Sequence, residues 1–239
     1  MQRLSVMLAI AASVFTTGSL SASTIISGTF DLDGSVTATL DTLHWVSNGG
    51  TANEATIEDN ADLSGSFVGL GATLVAIEDL DRATEPVNTP FSPMNFIDFL
   101  AAPTFPDLLV DFIPLGVFGS TDCTSAPAIG QTCTPPVPGG SPFSFTNTNN
   151  GTGGISSSVT FDFSGVTSDG LSTWSGIFTS QFNVPFQTVL ANLASNGSIT
   201  DSYSGSNLVI TMVPEPGALT LMAVGLVLLA AGRLRLHRS

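Results

Sequence analysis

The chain has very little positive charge. It contains no lysine, and its basic residues are five arginines, namely Arg3, Arg82, Arg233, Arg235 and Arg238. Arg82 is therefore the only arginine between positions 24 and 212, whereas all of the 19 acidic residues except Glu215 lie in that span. Proteins hold phosphate backbones mainly through lysine and arginine. The composition excludes nucleic acid as a partner and predicts an acidic, well-solvated surface.

Groups that carry catalysis are also scarce. His44 is the only histidine before position 237, and no serine lies in a Gly-x-Ser-x-Gly context. Phosphate-binding loops, HExxH zinc motifs and glycine-rich dinucleotide turns are absent from the sequence. We interpret His44, beside Trp45 at the end of a predicted strand, as a partly buried structural residue. The sequence predicts neither an enzyme nor a cofactor.

The N-terminus has the pattern of a secretory signal peptide. Arg3 supplies positive charge, Leu4 to Phe15 is mostly apolar, and small and polar residues follow up to Ser23. The apolar run is well short of the ~20 residues of a spanning helix, which disfavours the alternative of an uncleaved N-terminal anchor. We therefore expect residues 1–23 to be removed and the rest of the chain to be exported.

The only two cysteines, Cys123 and Cys133, flank a loop rich in proline and threonine. In an exported chain such a pair is expected to form a disulfide. A zinc site is disfavoured because the sole histidine of the body is distant in sequence and zinc needs further soft ligands. Use of either cysteine as a nucleophile would need a free thiol, which export also disfavours.

Alternation of apolar and polar residues predicts a mainly β body over residues 24–212. The clearest strands span Val159 to Phe163 and Trp174 to Phe182, joined by a turn at Ser168-Asp169-Gly170. Other segments with this pattern are 28–32, 35–43, 72–77, 108–112, 199–203 and 208–212. Their number and spacing predict a β-sandwich or a jelly-roll-like fold.

One or two short helices are expected beside the strands. Phe186, Val189, Leu190 and Leu193 have helical spacing, with Pro185 before them and Gly197 beyond them. The apolar segment from Pro90 to Phe105 fits either a second helix or a loop that covers the core. Residues 134–154 are rich in Pro, Gly, Asn and Thr, which predicts a long surface loop or a soft divide between two halves.

Acidic residues offer weak candidates for other functions. Asp31 and Asp33, and the cluster of Glu78, Asp79 and Asp81 with Glu85, could supply oxygen ligands to calcium, but neither set completes a calcium loop. Solvated turn residues are the favoured interpretation, and no metal is expected. A carboxylate pair for glycoside hydrolysis is a further, disfavoured alternative, since any acid-rich chain offers such pairs.

The C-terminus carries the most informative motif. Val213-Pro214-Glu215-Pro216 is followed by an apolar run from Gly217 to Gly232 and by Arg233, Arg235 and Arg238. The run is short for a spanning helix, but the arginines can extend to the headgroups and hold that end in the cytoplasm. An ordinary C-terminal membrane anchor with a proline-rich hinge is the alternative.

Residues 213–239 resemble the PEP-CTERM sorting tail, which is sometimes labelled an ice-binding protein C-terminal domain. The resemblance implies a bacterial protein held in the inner membrane through helix 217–232 and processed there by an exosortase-like enzyme. It further implies a final location at the cell surface or outside the cell. The expected role is structural or adhesive, with exopolysaccharide as a partner. The alternative is a secreted carbohydrate- or calcium-binding module.

Overall fold

The computed structural model describes residues 25–59 and 61–212. The predicted signal peptide 1–23, the sorting motif 213–216 and the predicted spanning helix 217–232 lie outside the described residues. Within the described part, no helix is both long and apolar enough to cross a membrane. The same part contains one antiparallel sheet of twelve strands and one α-helix. The prediction of a mainly β body is therefore confirmed.

The strands vary in length from two to fourteen residues. In chain order they are β1 (Gly28–Ala38), β2 (Thr42–Val46), β3 (Glu54–Ile57), β4 (Leu74–Ile77), β5 (Leu80–Asp81), β6 (Met94–Asp98), β7 (Leu108–Phe112), β8 (Thr132–Cys133), β9 (Ser144–Asn149), β10 (Ile155–Thr167), β11 (Ser172–Phe182) and β12 (Ile199–Met212). The helix α1 (Phe186–Asn196) connects β11 to β12.

The sheet closes on itself. Strands follow the order β11-β12-β1-β3-β4-β6-β7-β10, and β10 also pairs with β11, which completes the ring. One edge of β10 pairs with β11, while the other pairs with β9 over residues 155–160 and with β7 over residues 164–167, where the register shifts between Ser164 and Gly165. The strands thus form one continuous sheet whose opposite walls face each other across a common core.

Aromatic side chains from opposite walls fill that core. Phe96 of β6 stacks on Trp174 of β11 with ring centroids 5.9 Å apart, and it lies 5.2 Å from Phe163 of β10. Trp45 of β2 meets Tyr203 of β12 edge-on at 4.9 Å. Each large apolar side chain buried in this way contributes about 1.5–3 kcal/mol. This packing holds the closed sheet together.

The helix is confirmed where its spacing predicts it. Pro185 precedes its first turn with extended backbone, and Gly197 ends it in the left-handed conformation at φ 79°. Phe186 and Val189 are buried, as predicted for the apolar face.

The second helix considered for the segment from Pro90 to Phe105 is wrong. Its centre is strand β6, which pairs with β4 and β7. Proline at positions 90, 93 and 103 leaves too short an uninterrupted stretch for a stable helix, whereas a five-residue strand fits between Pro93 and Pro103. Within residues 134–154, the sequence analysis missed β9, which is hydrogen-bonded to both β8 and β10.

Candidate functional site

The first strand, β1, starts at the same end of the sheet at which the last strand, β12, finishes. Gly28 of β1 pairs with Ile210 of β12, whereas Ala38 at the other end of β1 pairs with Ile199. We call the end that holds residues 28 and 210 the terminal end, and the opposite one the far end. The sorting motif Val213-Pro214-Glu215-Pro216 therefore follows directly from the terminal end. The motif itself and the basic cluster Arg233, Arg235 and Arg238 are outside the described residues.

A cavity of about 590 Å³ occupies the far end. Its wall is formed by the inward side chains of β10 and β11, by helix α1, by the β1–β2 turn and by the loop that precedes β9. Most of the lining is apolar, including Val159, Phe161, Phe182 and Leu190. Leu40, Pro136 and Ala191 also line it and are exposed, so the cavity opens to solvent.

The cavity exists because the helix does not pack directly on the main core. Phe186 and Val189 form a small second core with Phe145, Val159 and the two cysteines. The main core ends at Phe161 and Phe163 of β10, and among residues 25–59 and 61–212 only Phe143 packs against both clusters. The two clusters are thus separated by a gap, and Leu190 and Leu193 of the helix line it while remaining half-buried.

Two buried polar atoms without a partner lie in this mostly apolar wall. The Ser180 Oγ and the Asp201 Oδ2 have no hydrogen-bond partner among the described residues, and the Ser180 residue is 3% exposed. Ser180 pairs across the strands with Tyr203, and Asp201 lies two residues from Tyr203 on the same face of β12. The two polar groups are therefore diagonal neighbours. Burial raises the pKa of Asp201, partly offset by the N–H of Ser202.

Arg82, the only arginine of the body, is engaged at the rim of the cavity. Its guanidinium donates hydrogen bonds to the carbonyl oxygens of Pro138 and Gly140, the latter at 2.9 Å. Nearby, the Glu85 Oε2 accepts from the Asp81 N–H at 2.8 Å. Arg82 thus holds the loop before β9 against the segment after β5, and that contact shapes one side of the opening.

The predicted disulfide is present. Cys123 and Cys133 are bonded to each other with Cα atoms 5.1 Å apart, and Cys123 lines the cavity. Beside it, the buried amide of Asn147 donates to the Gln187 Oε1 at 3.0 Å and to the Ala128 carbonyl at 3.2 Å. Gln187 in turn donates to the Gln131 Oε1 at 2.9 Å. These bonds connect the disulfide loop, β9 and the helix.

His44 lies in the middle of β2 rather than at a strand end, and its side chain is 51% exposed. Its Nδ1 is 2.6 Å from the Asp79 Oδ2, and its Nε2 is 3.1 Å from the Thr42 Oγ1. The Asp79 Oδ1 accepts the Trp45 N–H at 2.9 Å. A hydroxyl, an imidazole and a carboxylate are thus aligned, but on an exposed strand face. The contacts fasten β2 to the residues that follow β4.

The acidic residues considered for calcium do not come together. Among residues 25–59 and 61–212, no group of three or more His, Cys, Asp or Glu side chains could hold a metal ion. Asp33 accepts a hydrogen bond from the Asn48 amide at 2.6 Å, and Asp81 accepts one from the Ala83 N–H at 2.8 Å. Asp79 is bound to His44, as described above. Asp33, Asp79 and Asp81 thus serve local structure.

The structure reveals one carboxyl pair that sequence reasoning did not single out, Asp98 and Asp107. Burial raises the pKa of Asp107, and the charge of Asp98 and a hydrogen bond with it act in the same direction. Paired glycosidase carboxyls are usually at least ~5 Å apart to hold a sugar between them. Two carboxyls in direct hydrogen-bond contact do not have that geometry.

Comparisons with models of protein families, with curated proteins and with solved structures find no match for this chain.

Proposed function

We propose that the protein is an exported cell-envelope or extracellular-matrix protein that is sorted through its C-terminal PEP-CTERM-like tail. Its disulfide carries this proposal, because such bonds form and persist in oxidising compartments outside the cytoplasm. The signal-peptide pattern of residues 1–23 and the tail pattern of residues 213–239 agree with that location.

The position of the tail on the body supports the same proposal. β12 runs between β1 and β11 and leads straight to residue 213 at the terminal end. A body held by this tail would keep its terminal end near the membrane and present its far end outward. In such an arrangement Pro214, Glu215 and Pro216 lie between the folded body and the bilayer, where an exosortase-like enzyme could reach them.

For the mature protein we propose a non-catalytic structural or adhesive role with exopolysaccharide as the partner. A secreted binding module is the second candidate, and the far-end cavity favours it over a purely structural role. The apolar wall of the cavity does not suit a sugar, and the described carboxylates do not gather as calcium requires.

The intact mass of the protein recovered from the envelope and the medium of its native host tests the sorting proposal. We expect a chain that begins near residue 24 and ends near Pro214 to Pro216, together with the mass of any group attached there. The matched control replaces Pro214, Glu215 and Pro216 with alanine and should retain residues 217–239. A wild-type chain that still carries these residues would refute sorting.

The structural role has its own test. Deletion of the protein should reduce surface adhesion or the retention of exopolysaccharide by the cells. Complementation with the wild-type chain should restore both, and complementation with the alanine variant of the sorting motif should not. Unchanged adhesion and retention after deletion would contradict this role. Turnover of any member of a glycan panel by the purified protein would contradict the non-catalytic proposal.

A further inference from the structure

The far-end cavity has the size and lining of a site for a small molecule. Its volume of about 590 Å³ falls within the ~300–1,000 Å³ typical of such sites. Closed sheets of about eight strands leave room inside either for side chains or for one small ligand. Here aromatic side chains fill the terminal end and the middle, while the far end stays open between the two cores.

The two buried polar atoms indicate where a ligand would be held. A buried hydroxyl or carboxyl oxygen without a partner is costly, so such atoms are rare in folded proteins. The Ser180 Oγ and the Asp201 Oδ2 are both of this kind, and both belong to the cavity wall. Being diagonal neighbours on β11 and β12, they could be reached by a single polar group.

We propose that the cavity binds a small molecule with an apolar body and one hydrogen-bond donor group, an alcohol or an amine. The donor group pairs with the Asp201 Oδ2 and exchanges a hydrogen bond with the Ser180 hydroxyl. The apolar body lies along Val159, Phe161 and the helix. This binding is independent of the sorting tail.

Charge around the cavity selects against acids as ligands. Asp41, Glu85 and Asp201 all contribute to the lining, and Arg82 is the only basic residue there. The guanidinium of Arg82 donates to two backbone carbonyls of the neighbouring loop. A carboxylate head, as in a fatty acid, would therefore be repelled, whereas a neutral hydroxyl is tolerated and an ammonium is attracted.

The apolar run 217–232 of the same chain is a less suitable occupant. It begins five residues beyond Met212, at the terminal end, whereas the cavity lies near Ile199 at the other end of the fourteen-residue β12. At about 3.3 Å per residue these ends are roughly 40 Å apart. Five extended residues span at most about 18 Å. The start of the run therefore cannot reach the cavity, and removal of residues 217–239 tests whether its later residues occupy it.

Equilibrium binding of radiolabelled decanol, decylamine and decanoate to the full-length chain in lipid nanodiscs tests the proposal. These probes share one chain length and differ only in the head group. Partition into lipid is the same for every protein variant and cancels when variants are compared. The informative variant is Leu190→Trp, which fills the cavity from the helix, and its control is Ile177→Trp on the exposed face of β11. Ser180→Ala and Asp201→Asn probe the polar contacts.

After the uptake of each probe by protein-free nanodiscs is subtracted, we expect decanol and decylamine to bind at least tenfold more tightly than decanoate. Leu190→Trp should weaken the binding of both probes about tenfold or more, and Ile177→Trp should change their affinities by no more than about twofold. Ser180→Ala should weaken decanol binding about tenfold, as expected for the loss of one hydrogen bond to a buried group. Asp201→Asn should weaken the binding of decylamine more than the binding of decanol. The melting temperature of each variant in the same nanodiscs verifies that it is folded.

Any one of three results would overturn the proposal. The first is decanoate binding as tightly as decanol, and the second is binding of all probes unaffected by Leu190→Trp. The third is binding that appears only after residues 217–239 are removed, which would identify the chain's own apolar run as the occupant. None of these results bears on sorting, which the intact mass tests separately.

Discussion

The side-chain oxygen of Asn147 accepts a hydrogen bond from the backbone N–H of Phe186 at 3.0 Å. Asn147 belongs to β9, and Phe186 is the first residue of α1, so a strand side chain satisfies one of the free donors at the start of the helix. Asn147 is 1% exposed and its amide donates to Gln187 as well. This one residue fixes the helix over the cavity.

Replacing Asn147 with alanine should therefore destabilise the protein strongly. The variant removes the hydrogen-bond partner of the Phe186 N–H and of the Gln187 Oε1. Each such loss at a buried site costs about 1–3 kcal/mol. We expect the free energy of unfolding to fall by about 3 kcal/mol in chemical denaturation. The control is Asn192→Ala on the exposed side of the same helix, which should change it by no more than about 0.5 kcal/mol. Equal effects would contradict the capping role.

The disulfide should contribute a modest amount of stability. It closes a loop of ten residues, for which chain-entropy arguments give about 2–3 kcal/mol. We expect the double variant Cys123→Ser, Cys133→Ser to lose that amount in thermal or chemical unfolding. Wild-type protein under a strong reductant is the matched control and should show the same loss. If the reductant also lowers the stability of the double variant, the loss seen in the wild-type protein does not come from the disulfide alone.

Tyr203 should tolerate loss of its hydroxyl. The residue is 3% exposed, and its Oη has no hydrogen-bond partner among the described residues, while burial and then the charge of Asp33 raise its pKa. Tyr203→Phe should therefore leave the free energy of unfolding unchanged or raise it slightly, because the buried hydroxyl contributes no bond. Tyr203→Ala, which removes the ring from Trp45, should cost about 3–5 kcal/mol. A loss above 1 kcal/mol for the phenylalanine variant would indicate a hydroxyl bond.

Asp201 makes the stability depend on pH in a defined direction. Burial raises its pKa above the ordinary value of 3.8, so the folded state binds its proton more tightly than the unfolded state. The stabilisation from this bound proton is fully present below the pKa of Asp201 in the unfolded state. It is lost as the pH rises through the pKa of Asp201 in the folded state. Asp201→Asn should thus gain stability relative to wild type as pH rises above 3.8, and the difference should be constant below it. A difference that shrinks with rising pH would contradict this assignment.

Gly165 is required by a close approach of two strands. A Cβ at this position would collide with the carbonyl oxygen of Leu109 and come within 2.9 Å of the Trp174 Nε1. That indole nitrogen donates to the same carbonyl at 2.7 Å. Gly165→Ala should therefore destabilise the protein by about 3 kcal/mol, at the upper end of overpacking effects. Gly119→Ala, where a Cβ meets no atom within 4 Å, should be nearly neutral.

Much of the β structure and the helix could be predicted from local patterns. β10 and β11 alternate apolar and polar side chains over most of their length, and that period of two is retained in their burial. The helix combines apolar spacing with Pro185 at its start and Gly197 at its end. In each case the information lies within about a dozen consecutive residues.

The features that prediction missed depend on distant residues. Gly34 and Gly205 interrupt the alternation and suggest breaks, yet β1 and β12 continue through them. A Cβ on Gly34 would lie 2.6 Å from the Val46 carbonyl oxygen and 3.0 Å from the ring of Tyr203, and one on Gly205 would lie 2.9 Å from the ring of Phe178. Gly34 thus makes room for a backbone carbonyl and an aromatic ring, and Gly205 for an aromatic ring, on neighbouring strands.

The cavity could not be predicted for a similar reason. Ser180 fits an ordinary inward polar position, and nothing in the sequence around it shows that the helix will leave a gap above it. Asn147 likewise gave no signal, because a strand rich in Thr and Asn resembles a loop. Only closure of the sheet brings β9, β11, β12 and the helix to one place.

The placement of β12 has a mechanical consequence. This strand is hydrogen-bonded to β1 on one side and to β11 on the other, and its last residue is the point from which the C-terminal segment continues. A pulling force transmitted through that segment acts along the strand axis. Because the ladder bonds are perpendicular to the strands, such a force shears both ladders together rather than opening them one bond at a time. β12 is therefore well placed to bear tension applied through the C-terminal segment.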